Sequence, residues 1–253
     1  MGMTAEDALS KVPAITAGFW IIKILATTLG ETAGDTLSMT YDLGYLASSA
    51  IFIVPLALLV AAQIKARGYH PALYWATIIA STTAGTTIAD YATRSLGIGY
   101  LGGTVLLLTL VLTCLLVWYR TLGSVAVDRI ASPRAEAFYW TTITFSQTLG
   151  TALGDWAADT GGLGYLGGAM LFGSVLLALV ALFRFTSISR VWLFWAAFIL
   201  TRPLGATVGD FLDKPLAKGG LDFSRPVASL VLLAAIVALV LLMPQKAGRH
   251  PAS

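Results

Sequence analysis

Charge is scarce in this 253-residue chain: Lys and Arg number 16 and Asp and Glu 13, together 11% of the residues. A soluble domain carries about 25%. A water-exposed globule is therefore excluded, and an all-α integral membrane protein is expected. Cysteine occurs once, at Cys114, which excludes an intrachain disulfide and a cysteine-based metal site and leaves a small packing residue. The two histidines, His70 and His250, fall in a loop and in the tail, so no histidine relay crosses the apolar segments. His-Glu-x-x-His, Gly-x-Ser-x-Gly and a cysteine pair are all missing, and no enzyme is expected. The sparse cations flank apolar runs without interleaving with aromatics, which argues against a nucleic-acid partner.

What is abundant is apolar length. Hydrophobic residues make up 57% of the chain and fall into eight stretches, at 12–37, 44–63, 73–92, 98–119, 138–157, 163–184, 191–211 and 225–243. About 20 apolar residues cross a bilayer core, so eight transmembrane helices are predicted. Glu6 and Asp7 make the first stretch a poor cleaved signal peptide. Lys11, Lys65, Arg67, Arg120, Arg129, Arg134, Arg184, Arg190, Lys246 and Arg249 lie on the side of the termini, whereas the opposite loops hold only Arg94, Lys214, Lys218 and Arg225. By the positive-inside rule both termini are cytoplasmic.

The stretches form four copies of one unit. Aligned on Trp20, Trp75, Trp140 and Trp195, the intervals are 55, 65 and 55 residues, and an Asp (Asp35, Asp90, Asp155, Asp210) follows fifteen positions after each Trp. The longer middle interval divides the chain into halves at 1–122 and 134–253, with a linker at 123–133. Each unit has two spans and returns to its starting side, so the four should be related by an axis along the membrane normal. Leu43-Gly44-Tyr45-Leu46, Ile98-Gly99-Tyr100-Leu101 and Leu163-Gly164-Tyr165-Leu166 open the second helix of three units; the fourth reads Lys218-Gly219-Gly220-Leu221.

Small residues four apart, Gly30/Gly34, Gly85/Ala89, Gly150/Gly154 and Gly205/Gly209, predict close packing of the four odd-numbered helices. Lys23, Thr27, Gly30, Glu31 and Gly34 line one stripe of the first helix, with Asp35 at its edge; the equivalents are Thr82, Thr86 and Asp90, then Gln147, Thr151 and Asp155, then Arg202 and Asp210. Ionisable groups at membrane depth are costly and by default functional. Each Asp is either a ligand in a central site or a cap at the outer end of its helix. Lys23 and Arg202 either tune the carboxylates or pair with them across helices. Asp159, Arg94, Asp213 and Lys214, near the turns, are expected to be solvated or interfacial, and the tryptophans are expected to pack or anchor. Five deep acids against two deep bases leave three carboxylates uncompensated, so protons or hard cations are the expected countercharge.

Four tandem two-helix units, each with an early Trp and a Gly-x-x-x-Gly/Ala-Asp core, resemble the bacterial membrane-protein family defined by the repeat DUF347. That resemblance implies the bacterial inner membrane and no particular activity. Glu31-Thr32-Ala33-Gly34-Asp35-Thr36 is also similar to the Glu-x-Gly-Asp motif of cation exchangers, although here the Glu is one position further from the Gly and is confined to the first unit.

The sequence thus predicts a transporter of a divalent cation (manganese, magnesium or calcium) by proton-coupled export or exchange. Asp35, Asp90, Asp155, Asp210, Glu31 and Gln147 are the candidate ligands, the carboxylates being the metal set, with Lys23 and Arg202 tuning them. The alternatives are a transporter or channel for a small organic or anionic solute, recognised by Arg202 and Lys23, and a non-transporting scaffold. The expected partners are the lipid bilayer and a small cation or solute; a homo-oligomer is compatible with the pattern, and no cofactor is implied.

Overall fold

The computed structural model describes residues 10–248; Glu6, Asp7, Arg249 and His250 lie outside the described residues. Eight long helices account for most of what is described: α1 Ala17–Asp35, α2 Gly44–Lys65, α3 Pro71–Asp90, α4 Gly99–Leu122, α5 Pro133–Asp155, α6 Gly164–Phe185, α7 Arg190–Asp213 and α8 Arg225–Leu242. Among the described residues the only β pairing is an isolated bridge between Pro13 and Ala247.

Local chemistry sets the helix starts. Thr16, extended, caps α1 by accepting from the Phe19 amide, so α1 begins at Ala17 and the stretch 12–16 is not helical. Ser132 caps α5 with Pro133 in its first turn, five residues before the apolar run suggests. Beyond Asp35, Asp90 and Asp155 the chain continues as a wider helical turn, over Thr36–Thr40, Tyr91–Ser95 and Trp156–Thr160. Gly44, Gly99 and Gly164 then open α2, α4 and α6 with φ of 73°, 73° and 65°, a backbone region that disfavours a side chain.

Among the described residues, five helices (α2, α4, α6, α7 and α8) are long and apolar enough to cross a membrane. In α1, α3 and α5, threonines, glycines and acids replace part of the apolar length, and those side chains are buried inside the bundle. Outward-facing positions of the even-numbered helices are aliphatic, as at Leu58, Leu177 and Leu241.

The odd-numbered helices form a closed ring: α1 packs on α3 and α7, and α5 packs on α3 and α7. The same contact recurs around it. A Cβ at Gly30 would overlap Thr82, one at Gly85 would press on Gln147, one at Gly150 would overlap Arg202, and one at Gly205 would overlap Thr27. One turn on, Gly34 meets Thr86, Gly154 meets Ala206 and Gly209 meets Glu31. The even-numbered helices sit outside, and each packs chiefly on the next unit: α2 on α3, α4 on α5, α6 on α7 and α8 on α1. Self-contained hairpins are therefore not what forms. In the first three repeats the wide turn and positive-φ glycine carry the second helix across to its neighbour's groove.

The terminal end of the ring is closed by aromatics in the same cyclic order. Phe19 meets Trp75 (centroids 5.6 Å apart), Tyr74 meets Trp140 (5.7 Å), Tyr139 meets Trp195 (6.2 Å) and Phe194 meets Trp20 (5.8 Å). Chain segments lie across this layer. The Ala14 amide donates to Lys246 (2.9 Å), the Gly248 amide to Val12 (2.8 Å) and the Lys11 amide to Ile130 (2.9 Å). The Lys11 ammonium, buried, pairs with Glu136 at 2.6 Å and donates to the Gln63 carbonyl at 3.1 Å.

Candidate functional site

Arg202, at the middle of α7, is fully buried and reaches the three other ring helices. Its Nη1 lies 3.0 Å from Glu31 Oε2 and 3.5 Å from the Thr27 carbonyl, both on α1. Its Nη2 donates to the hydroxyls of Thr86 on α3 (2.5 Å) and Thr151 on α5 (2.6 Å). Those hydroxyls in turn donate to Glu31 Oε2, at 3.3 and 3.4 Å. One guanidinium touching all its ring partners can only stand at the centre of the ring, and with Glu31 and two threonines it fills that level.

One turn nearer the termini, Lys23 is also fully buried. Its ammonium lies 3.4 Å from Thr201 Oγ1 and 4.2 Å from the centroid of the Phe198 ring. No carboxylate pairs with it among the described residues. Gln147 is fully buried, and neither of its amide atoms has a hydrogen-bond partner among the described residues.

At the other end of the ring the four repeat aspartates are all buried and are gathered in two pairs. Lys214 bridges Asp35 and Asp210, with its Nζ 2.9 Å from Asp210 Oδ1. Arg94 bridges the other two, its Nε 3.0 Å from Asp90 and its Nη2 2.9 Å from Asp155. Arg94 also donates to the Tyr45 hydroxyl at 3.1 Å and lies over the Tyr45 and Tyr100 rings. Arg225, at the start of α8, sits 3.3 Å from Asp213 and 3.8 Å from Asp35. One carboxylate oxygen each from Glu31, Asp35 and Asp210 lie within 4.8 Å of one another. Clustered carboxylate oxygens are ligands of hard divalent cations, and Asp35 Oδ1 is buried with no hydrogen-bond partner among the described residues.

A family model for the repeat of unknown function DUF347 matches residues 18–69, 73–124, 138–189 and 193–244. The chain belongs to the DUF347 family. No curated protein and no solved structure matches it.

Each DUF347 repeat thus contributes the same parts: a Trp to the aromatic layer, a small-residue face to the ring and an Asp at its far end. The charges that differ between repeats do the pairing. Glu31 of the first repeat meets Arg202 of the fourth, whereas Lys23 stays apart from both Glu31 and the aspartates. Gln147 presses against Gly85 in the ring and is not among the residues gathered at Glu31, Asp35 and Asp210.

Two expectations need correction. Asp213 and Lys214 are buried rather than solvated or interfacial, and Arg94, in its turn and 27% exposed, is directed onto the acids: the wide turn after Asp90 and the end of α7 carry both cations back over them. Nor are three carboxylates left uncompensated. Glu31, Asp35, Asp90, Asp155, Asp210 and Asp213 face Arg94, Arg202, Lys214 and Arg225, six acids against four bases, with Lys23 buried apart from them. The missed signal is the spacing of Asp90 to Arg94 and Asp210 to Lys214, four residues each, which places acid and base on one helical face.

Proposed function

We propose that this protein is a multi-pass transporter of a divalent metal cation in the bacterial inner membrane, working by export or exchange. All eight helices cross the bilayer, with α1, α3, α5 and α7 around a pseudo-fourfold axis along the membrane normal. Both termini lie in the cytoplasm, so the aspartates lie toward the outer face. The observation that carries the reading is the Glu31, Asp35 and Asp210 cluster, three buried oxygens close enough to share one ion. The oxygen-only donor set favours manganese, magnesium or calcium. Arg202 is spent on Glu31, Thr86 and Thr151, which leaves a competing anion-carrier reading with only Lys23 of its two recognising groups.

The test is the melting temperature of detergent-purified protein across a panel of manganese, magnesium and calcium. A ligand at 100 times its Kd stabilises the native state by about 2.7 kcal/mol. A cation-selective rise lost in Asp35→Asn and Asp210→Asn, but kept in Asp90→Asn, supports the assignment; no rise with any of the three ions overturns it. A second reading, a non-transporting scaffold, draws on the pairing of the acids with Arg94, Arg202, Lys214 and Arg225, which glues helices whatever else it does. It predicts that the aspartate variants lose stability equally with and without metal.

A further inference from the structure

The acid cluster is not empty of charge. Lys214 sits between Asp35 and Asp210, 3.9 Å from Asp213, and Arg225 touches Asp213 and Asp35. Both cations flank the connection of the fourth repeat, which departs from the other three. Where repeats 1 to 3 use a wide turn and a positive-φ glycine, α7 runs on to Asp213 and a folded loop follows. The amides of Leu221 and Phe223 donate to the Phe211 and Leu212 carbonyls (2.8 and 2.9 Å), and that of Asp222 to Lys214 (3.0 Å). Asp222 has φ of 56° and Gly219 of 83°, and a Cβ at Gly220 would overlap the Lys214 carbonyl. The loop is thereby closed tightly against the end of α7, with the two cations at its ends held against the acids.

Two side-chain positive charges equal the charge of one divalent ion. We propose that Lys214 and Arg225 are tethered substitutes for the cargo: they neutralise the acids when no ion is bound and swing toward the loop end when one enters. Charge at the site is then the same loaded and unloaded, so the unloaded carrier reorients without taking up a proton. Arg225 is partly exposed, at 19% of its side chain, and Lys214 adjoins the exposed stretch from Pro215 to Gly219, which gives both side chains a way out. The inference rests on the cation-transport reading above.

The test separates two fluxes in proteoliposomes of the full chain, with manganese as the probe: exchange, with metal on both sides, and net flux, with metal on one. Wild type performs both. Lys214→Met keeps exchange and loses net flux, because its unloaded form cannot return. If Lys214 occupies the site nine-tenths of the time, its removal lowers the half-saturating manganese concentration for exchange about tenfold. Lys214→Arg, which retains the charge, keeps both fluxes. Arg225→Gln provides the same contrast should Lys214→Met not reconstitute. Net flux in Lys214→Met equal to that of wild type overturns the proposal. Wild type that exchanges no manganese overturns the transport reading itself.

Discussion

Replacing Arg202 with methionine removes the one guanidinium that joins all the ring helices and leaves Glu31 buried without its partner. Truncating one member of a buried ion pair costs about 3–5 kcal/mol, whereas replacing the whole pair by uncharged groups of similar volume is often close to neutral. The two threonine hydroxyls that also contact Arg202 matter less, since a single intramolecular hydrogen bond contributes about 1 kcal/mol net. The charge effect therefore dominates. Arg202→Met and Glu31→Gln should each destabilise by about 3 kcal/mol or more, and the double variant should be less destabilised than the sum by at least about 2 kcal/mol. The assay is reversible unfolding in mixed micelles with all four species of the cycle measured side by side. Additivity within error would refute the argument, because it would mean that the two charges do not see each other across the 3.0 Å recorded between them.

Gly205→Ala forces a methyl onto Thr27 and should cost about 1–3 kcal/mol. Gly173→Ala in α6, where a Cβ meets nothing within 4 Å, should be neutral or gain up to about 1 kcal/mol, so the order of their melting temperatures checks the packing of the ring. Gly99→Ala, at φ of 73°, should cost about 1 kcal/mol, measurable by the same melts. Lys11→Ala leaves Glu136 buried and unpaired. It should loosen the segments across the terminal end, seen as faster proteolysis between residues 10 and 16 than in wild type.

The ring was legible in the sequence because small residues four apart leave a trace that needs no tertiary knowledge. Gly30/Gly34 and its three counterparts mark a helix face that only another backbone can fill. The cross-helix partnership of Arg202 was open to inference for a similar reason, as a guanidinium at that depth needs an acid. Two features were less readable. That α2 packs on α3 depends on the geometry of the turn after Asp35, and no periodicity in α2 names its neighbour. Arg94 and Lys214 lie just beyond the apolar runs, where hydropathy ends the helix. The chain instead keeps winding, as a wide turn after Asp90 and as one more turn of α7 after Asp210, and this carries both cations back to the acids. The four-residue spacing that betrays them was present, but a boundary drawn from hydropathy hides it.

Equivalent positions in a closed ring converge on its axis, and this decides which charges can be repeated. Thr27, Thr82, Gln147 and Arg202 are equivalent, as are Glu31, Thr86, Thr151 and Ala206. Four guanidiniums at one level would clash and repel, so the axis tolerates one Arg and one Glu with small hydroxyls between them, whereas the aspartates recur because their bridging cations hold them in pairs. If the four positions are interchangeable, it should not matter which helix supplies the arginine. Thr82 approaches Gly30 as Arg202 approaches Gly150, through the first atoms of its side chain. Arg202→Thr should destabilise strongly, and adding Thr82→Arg should recover more than half of that loss by bringing a guanidinium to Glu31 from α3. A double variant no more stable than Arg202→Thr would mean that the axis is built for one repeat alone and that the fourfold relation stops at the backbone.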